Sequence, residues 1–280
     1  HLKSLADFSP LNLRLQWQVK AAQELSSGGS SIQIEMHPLG GVVLIGKCSL
    51  DALLDDDFSD GLEASDAAVE LPDHSRRVME YVRRFCSGCI QDSIRESLVK
   101  AAGLHDLGKA DPRFQVLLHG RETSAAIAMT NGILLAKSQF PQRSRYELQR
   151  IRLEAGLPNR FRHEMLSVQM VQAQDALTDE NRDLILHMVA SHHGYARPFA
   201  PPVRDTELPA VDVVLDHTDY SISHKQRLSQ VPPHHIGSGV SERFWALTRR
   251  FGWWGLSYLE AILRCADHAA SACSPPEEAR

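Results

Sequence analysis

From Leu71 onward, apolar residues recur at intervals of three and four, the spacing of one helix face. In HSRRVMEYVRRF, Val78, Val82 and Phe85 follow that spacing, and Pro72-Asp73 supplies a helix start with Asp73 as its cap. A second helix is predicted over about 91–106, with Ile94, Leu98 and Ala101 on one face, and residues 111–122 begin a short third. RHEMLSVQMVQAQDAL (162–177) reads as an amphipathic helix through Met165, Val168, Val171 and Leu177. NRDLILHMVASHHG (181–194) reads as another, ended by Gly194. SERFWALTRRFGWWGLSYLEAILRCADHAAS (241–271) predicts one long apolar helix or a pair broken near Gly252. Its Phe244-Trp245 and Trp253-Trp254 pairs stand at core spacing. Residues 196–240 carry Pro, His and Asp without a clear period and read as a long functional loop with short turns.

The first 70 residues have a different texture. A Ser/Gly break at 26–31 precedes a β-like run from Gly41 to Ile45. From Asp51 to Asp73 there are nine acids and no Lys or Arg, the composition of a solvated linker. The expected organisation is therefore a tail of a preceding module over 1–50, an acidic linker over 51–70 and an all-α helical domain over 71–275. The chain opens at His1 without a methionine, so it is expected to be part of a longer polypeptide.

Composition narrows the function classes. Of 280 residues 43% are hydrophobic and 23% charged, enough for a buried core. A net charge of −5 argues against a wholesale basic protein but leaves room for a local basic groove. One stretch fits that description. Lys137, Arg143, Arg145, Arg150, Arg152, Arg160 and Arg162 face only Glu147 and Glu154, with Phe140, Tyr146 and Phe161 interleaved. Cations along a backbone with rings for stacking describe a path for a single strand, and a solvated helix face is the competing reading. No apolar run approaches the roughly 18–20 residues of a membrane span, and no secretory signal is visible. Five cysteines without dense spacing suggest reduced thiols in the cytoplasm. Cys86 and Cys89 form a CSGC without the second pair that structural zinc requires, so two thiols near a helix end is the favoured reading.

Seven potential metal donors then stand out at predicted helix ends: His74, His105, Asp106, His163, His192, His193 and Asp267. A helical bundle can aim such residues at one point. Imidazole with carboxylate suits Mn, Fe, Co, Ni or Zn rather than the all-oxygen sites of Mg and Ca. Neighbours on a regular helix diverge by about 100°, so His105 and Asp106 can flank one metal only where the helix ends. GLHDLG, with Gly103 before and Gly108 after, offers that end. A carboxylate has two oxygens, which makes Asp106 a candidate bridge between two ions about 3.5–4 Å apart. Such a pair activates water for phosphodiester displacement, with Lys109 offsetting phosphoryl charge.

These residues resemble the HD superfamily of metal-dependent phosphohydrolases, with its helical-bundle fold. HDLGKADPRFQ (105–115), RHEMLS (162–167), SHHGYARP (191–198) and ADHAAS (266–271), in that order along the chain, resemble the HD nuclease domain of the type I CRISPR helicase–nuclease. FGWWGLSYLEAILRCADH resembles the subgroup in which this domain follows the helicase, so residues 1–70 are expected to be the helicase's end and connector. The resemblance spans about 71–272. It implies one ion on His74, His105, Asp106 and Asp267 and a second on Asp106, His163, His192 and His193. It further implies cleavage of single-stranded DNA by two divalent transition-metal ions, Lys109 facing the scissile phosphate. The strand would be delivered by the helicase to a target marked by the guide-RNA surveillance complex. Arg197, in the HHGYARP segment, joins Arg143, Arg145, Arg150, Arg152, Arg160 and Arg162 as a nucleic-acid contact.

Blander readings stand beside these. His187, five residues before His192, is off its face and reads as structural; His268 reads as surface or as support for its neighbours. Asp111 reads as a cap for the following helix or as a residue orienting Lys109. His217, His224, His234 and His235 show no partner spacing. Two further functions use the same residues: a hydrolase of small nucleotides, against which the KADPxFQ extension argues, and a docking module stapled by metal, against which the number of donors argues.

Overall fold

A computed structural model describes residues 32–36, 42–46, 68–88, 90–138, 145–158, 160–174 and 181–272; each predicted helical segment contains a helix, and the part of 162–177 that includes Leu177 lies outside the described residues. The chain divides into two compact units, 1–60 and 61–280. In the first, strands β1 (Ile32–Met36) and β2 (Val42–Gly46) pair antiparallel with Ile32 opposite Gly46, β2 lying on the expected β-like run.

The second unit is mostly helical. Helix α1 (Leu71–Phe85) has Pro72 in its first turn and buries Leu71, His74, Val78 and Val82. Its cap position is Glu70, not Asp73, and no side chain caps it; Asp73 instead pairs with Arg76 at the surface. α1 packs between α2 (Asp92–Leu104) and the final helix α9 (Val240–Ala272). A 3-10 turn (Leu107–Ala110) leads into α3 (Pro112–His119), followed by α4 (Glu122–Thr130) and α5 (Arg145–Glu154). Two short strands, β3 (Val69–Glu70) and β4 (Leu135–Lys137), pair antiparallel beside α1.

Helix α6 (His163–Ala173) differs from its expected one-sided pattern: all nine residues from His163 to Val171 are buried. The 3-10 turn, α7 (Arg182–Ser191) and the hairpin described next enclose it. Of its polar residues, His163 faces Asp106, Glu164 pairs with Arg162 and Ser167 bonds the turn after α2.

The segment 196–240 is more ordered than its composition suggests. β5 (Val211–Leu215) and β6 (Thr218–Ile222) form a hairpin whose two-residue turn, Asp216-His217, has positive φ at both positions, as a type I′ turn requires. Val211, Val213 and Leu215 are buried and alternate with exposed residues. Helix α8 (His224–Ser229) follows, started by a reciprocal capping box between Ser223 and Gln226.

α9 is interrupted at Gly252, where φ 71° and ψ 168° leave helical geometry. That break overturns the core placement of its tryptophans. Phe244 is buried, but Trp245, Trp253 and Trp254 are 42%, 60% and 90% exposed. A non-helical residue resets the 100° phase, so spacing counted across Gly252 does not keep residues on one face. Leu247, Leu256, Leu259, Ile262 and Leu263 take the core side instead. Among the described residues, no helix is long and apolar enough to cross a membrane. Cys86 is buried; Cys89, Arg143, Phe140 and residues 47–67 lie outside the described residues.

Candidate metal centre

α2 stops at Leu104, and His105 and Asp106 occupy the junction with the 3-10 turn, where Asp106 has φ −102° and ψ 6°. The helix end lets two adjacent side chains converge that a continuing helix would splay. His105 Nδ1 lies 2.7 Å from the Ala102 carbonyl oxygen. A carbonyl only accepts, so Nδ1 carries the proton and Nε2 presents its lone pair. His192, just past the end of α7, repeats the arrangement with Nδ1 2.8 Å from the Val189 carbonyl oxygen. Both rings use carbonyls that a helix end leaves without an intrahelical donor.

His74 on α1, His163 at the start of α6, His193 after α7 and Asp267 on α9 converge on the same place. Asp106 Oδ2 is 3.4 Å from His105 Nε2 and 3.6 Å from His74 Nε2. Its other oxygen, Oδ1, is 3.1 Å from His163 Nε2 and 3.9 Å from His192 Nε2. Asp267 Oδ1 lies 3.0 Å from His74 Nε2 and 3.9 Å from His105 Nε2. His193 Nε2 lies 3.1 Å from His163 Nε2. The donors thus gather as His74, His105 and Asp267 on one side and His163, His192 and His193 on the other, with Asp106 between them.

Electrostatics put His74, His163, His192, Asp106 and Asp267 in the protonation states that metal ligands need. Burial lowers His163 to about 4, assisted by the neighbouring Lys109 and His193. Burial likewise holds His192 well below the ordinary histidine range and lowers His74. For Asp106, burial pushes upward, but His105, Lys109 and the hydrogen bond with His163 outweigh it and keep the carboxyl far below its usual value. Asp267 is lowered in the same way, burial being outweighed by His74 and His105. Neutral imidazoles and ionised carboxylates are the donor forms.

The residues also fit metal by their unmet needs. His105 Nε2 and His192 Nε2 are buried with no hydrogen-bond partner. A buried acceptor without a donor costs roughly 1–3 kcal/mol, which an ion would offset. Ligand atoms 3.0–3.6 Å apart match what metal bonds of about 2.0–2.2 Å place around one ion. Five imidazole nitrogens and two carboxylates suit a divalent transition metal.

Lys109 is 3% exposed, with Nζ 2.7 Å from Asp106 Oδ2 and 3.4 Å from the Ala136 carbonyl oxygen on β4. The following residues hold it there. Asp111 caps α3 by accepting from the Arg113 backbone at 3.0 Å and also binds the Arg113 guanidinium. Arg113 reaches Asp205 at 2.7 and 2.9 Å, and Arg227 closes the group through Asp111 and Asp205. Gln115 donates to the Lys109 carbonyl at 2.7 Å and exchanges hydrogen bonds with Leu135 of β4.

The remaining predicted residues are placed as follows. Arg152 and Arg162 are buried: Arg152 donates to the Pro158 carbonyl, and Arg162 pairs with Glu164 at 3.1 Å and lies 3.5 Å over the Tyr195 ring. Phe161 is buried against Phe114. Arg150 and Arg160 are exposed, Arg150 beside Glu154; Arg145 starts α5. Arg197 is 41% exposed and binds Glu260 at 3.0 Å and Ser257 at 3.1 Å. The same Glu260 takes the second carboxylate contact from His187 at 2.7 Å, which makes His187 structural, as expected. His217 sits in the hairpin turn, His224 starts α8, and His234 and His235 pack ring to ring, all away from the centre.

Two supporting residues escaped sequence reading. Glu164, fully buried, lies 3.9 Å from His163 Nδ1, and Ser167 bridges α6 to the HD turn. Their only sequence signal is a polar residue one and four places after His163, which also describes a solvated face.

Residues 62–230 match the sequence model of the family described as Cas3, HD domain. No curated protein and no solved structure matches the chain.

Proposed function

This chain belongs to the Cas3 HD domain family, and from that premise we propose that it cleaves single-stranded DNA at a centre of two divalent transition-metal ions. The family makes it a metal-dependent HD hydrolase of a CRISPR system. The observation that carries the two-ion reading is the division of Asp106. Its Oδ1 faces His163 and its Oδ2 faces His105 and His74, so one carboxylate serves two clusters of imidazoles. When bound, two such ions supply Lewis acidity to phosphoryl oxygens and a nucleophile at neutral pH.

The chain's own residues do the rest. Hydrogen bonds to Ala102 and Val189 fix the tautomers of His105 and His192 and keep both Nε2 atoms turned inward. Lys109, buried beside Asp106, supplies fixed positive charge where an approaching phosphate adds negative charge. Arg145, Arg150 and Arg160, on and after the helix that precedes His163, form the proposed approach of the strand. Residues 1–50 are read as the end of a helicase module and 51–70 as its connector, with a guide-RNA surveillance complex as the partner that marks the target and the cytoplasm as the location.

Purified protein incubated with single-stranded and duplex DNA and Mn, Ni, Co or Fe(II) tests the activity. Cleavage of the single strand, abolished by EDTA and by Asp106→Ala, is expected. No cleavage with any of these metals overturns the proposal.

A further inference from the structure

The final helix carries an aromatic surface that the metal centre does not use. Trp254 is 90% exposed, Trp253 60%, Tyr258 50% and Trp245 42%. The rings are ordered against one another across the Gly252 break. Trp245 and Trp253 meet edge to face at 5.8 Å, and both touch the buried Phe244, at 5.0 and 6.0 Å. Phe244 thus anchors two rings whose outer surfaces stay in water. Leaving several tryptophans exposed forfeits burial of the largest apolar side chains, so a patch of this kind points to a ligand.

Charge says which ligand. From Arg243 to Leu259 the sequence contains three arginines and no acid, in a chain of net charge −5. Arg249 and Arg250 are exposed between Trp245 and Trp253 in the sequence, Arg250 lying 4.8 Å over the Phe251 ring, while Arg243 is buried. Of the acids that bound this stretch, Glu242 is exposed in the first turn of the helix, and Glu260 is buried and held by His187 and Arg197. The large exposed apolar residues of α9 are all aromatic, none aliphatic. Rings interleaved with exposed arginines suit unpaired bases and their phosphates.

The position fits as well. Trp253 and Asp267 lie on one helix, 14 residues apart, roughly 21 Å at a rise of about 1.5 Å per residue. We infer that Trp245, Trp253, Trp254 and Tyr258, with Arg249 and Arg250, form a stacking platform that holds a single-stranded nucleic acid several nucleotides away from the metal centre. This rests on the single-strand substrate proposed above and adds a second point of attachment.

The test is binding in EDTA, so that no cleavage intervenes. Fluorescein-labelled oligo-dT of 16 nucleotides is titrated into the full chain and into Trp254→Phe, Trp254→Ala and Trp253→Ala/Trp254→Ala variants, with anisotropy and tryptophan emission as readouts. Emission of the unaltered chain is expected to be quenched. The double alanine variant is expected to bind about tenfold more weakly, and Trp254→Phe close to the unaltered chain. Equal affinity of the double variant and the unaltered chain overturns the platform. So does a change in oligomeric state with oligonucleotide affinity intact, which makes the face a protein contact. Hydrolysis of bis(p-nitrophenyl) phosphate by the unaltered chain, tried with Mn, Ni, Co and Fe(II), reports the metal centre separately. Tryptophan-dependent binding without that hydrolysis keeps the platform and sinks the nuclease, and the converse result does the opposite.

Discussion

The α-carbon of Gly108 lies against the main-chain carbonyl of His163, so close that a β-carbon on Gly108 would overlap that carbonyl and press on Leu166. Ser167 fastens the same contact, accepting from the Gly108 backbone at 2.8 Å and lying 2.8 Å from the His105 carbonyl oxygen. The HD turn and the helix bearing His163 are thereby held at backbone contact. Gly108→Ala must push them apart. A loss of about 1–3 kcal/mol or more is expected, together with weakened metal binding. Gly103→Ala meets only the flexible end of Met79, at 3.2 Å, and is expected to cost less. Thermal unfolding of the two variants side by side checks the order.

Asp106→Asn keeps one acceptor oxygen and loses the charge shared between two imidazole clusters. Bound metal is expected to fall from two ions per chain to one or none, and cleavage by at least a hundredfold. Elemental analysis after gel filtration counts the ions. Two ions retained in the variant would remove Asp106 as the bridge.

Arg113 is the hub of a buried ion cluster with Asp111, Asp205 and Arg227. Arg113→Met leaves Asp111 and Asp205 with Arg227 alone. Breaking a buried ion group costs about 3–5 kcal/mol, so a large drop in the urea midpoint is expected. Because Asp111 caps the helix that carries Gln115, and Gln115 holds the Lys109 carbonyl, cleavage is expected to decline even below the temperature at which the variant unfolds. A variant as stable and active as the parent shows that the cluster is dispensable.

Stability of the metal-free chain is expected to depend on pH in a definite direction. His163 titrates at about 4 in the fold, lowered first by burial, and near 6.5 when unfolded. Between these values the unfolded chain binds the proton and the folded chain does not. Stability is therefore complete above about pH 6.5 and declines as pH falls toward 4, on the order of 3 kcal/mol for this residue. His74 and His192, also lowered by burial, act in the same direction. Urea titrations in EDTA from pH 7.5 to 4.5 are expected to show a falling midpoint; a flat midpoint contradicts the neutral, buried imidazoles.

Much of this was legible in the sequence, for reasons that can be traced residue by residue. Helical spacing survives wherever one face is buried, as with Val78 and Val82 or Ile94 and Leu98. The donors could be collected because each stands at a helix end or on a helix facing inward, and HDLGKADPRFQ fixes a tight local structure. What the sequence obscured was long-range. The second buried face of α6 depends on Arg162 pairing with Glu164 and on Ser167 meeting Gly108, none adjacent in a way periodicity detects. Arg152 and Arg162 read as basic residues for a strand, yet both are inside. The hairpin at 211–222 was masked by flanking Pro, His and Asp, although VDVVL alternates and Asp-His can turn. The tryptophans of α9 were misplaced because a single glycine changed the phase.

His105 and His192 each tether themselves to a carbonyl three residues back, at the stopping points of α2 and α7. The length of those two helices is accordingly a coordinate of the metal site. Adding or deleting one residue in either would swing its imidazole by about 100° and move it about 1.5 Å, discarding the ligand without altering any side chain. Insertions elsewhere, in the exposed stretch around α4 for example, carry no such consequence. Tolerance to changes in chain length is thus expected to be a map of which helix ends serve the metals.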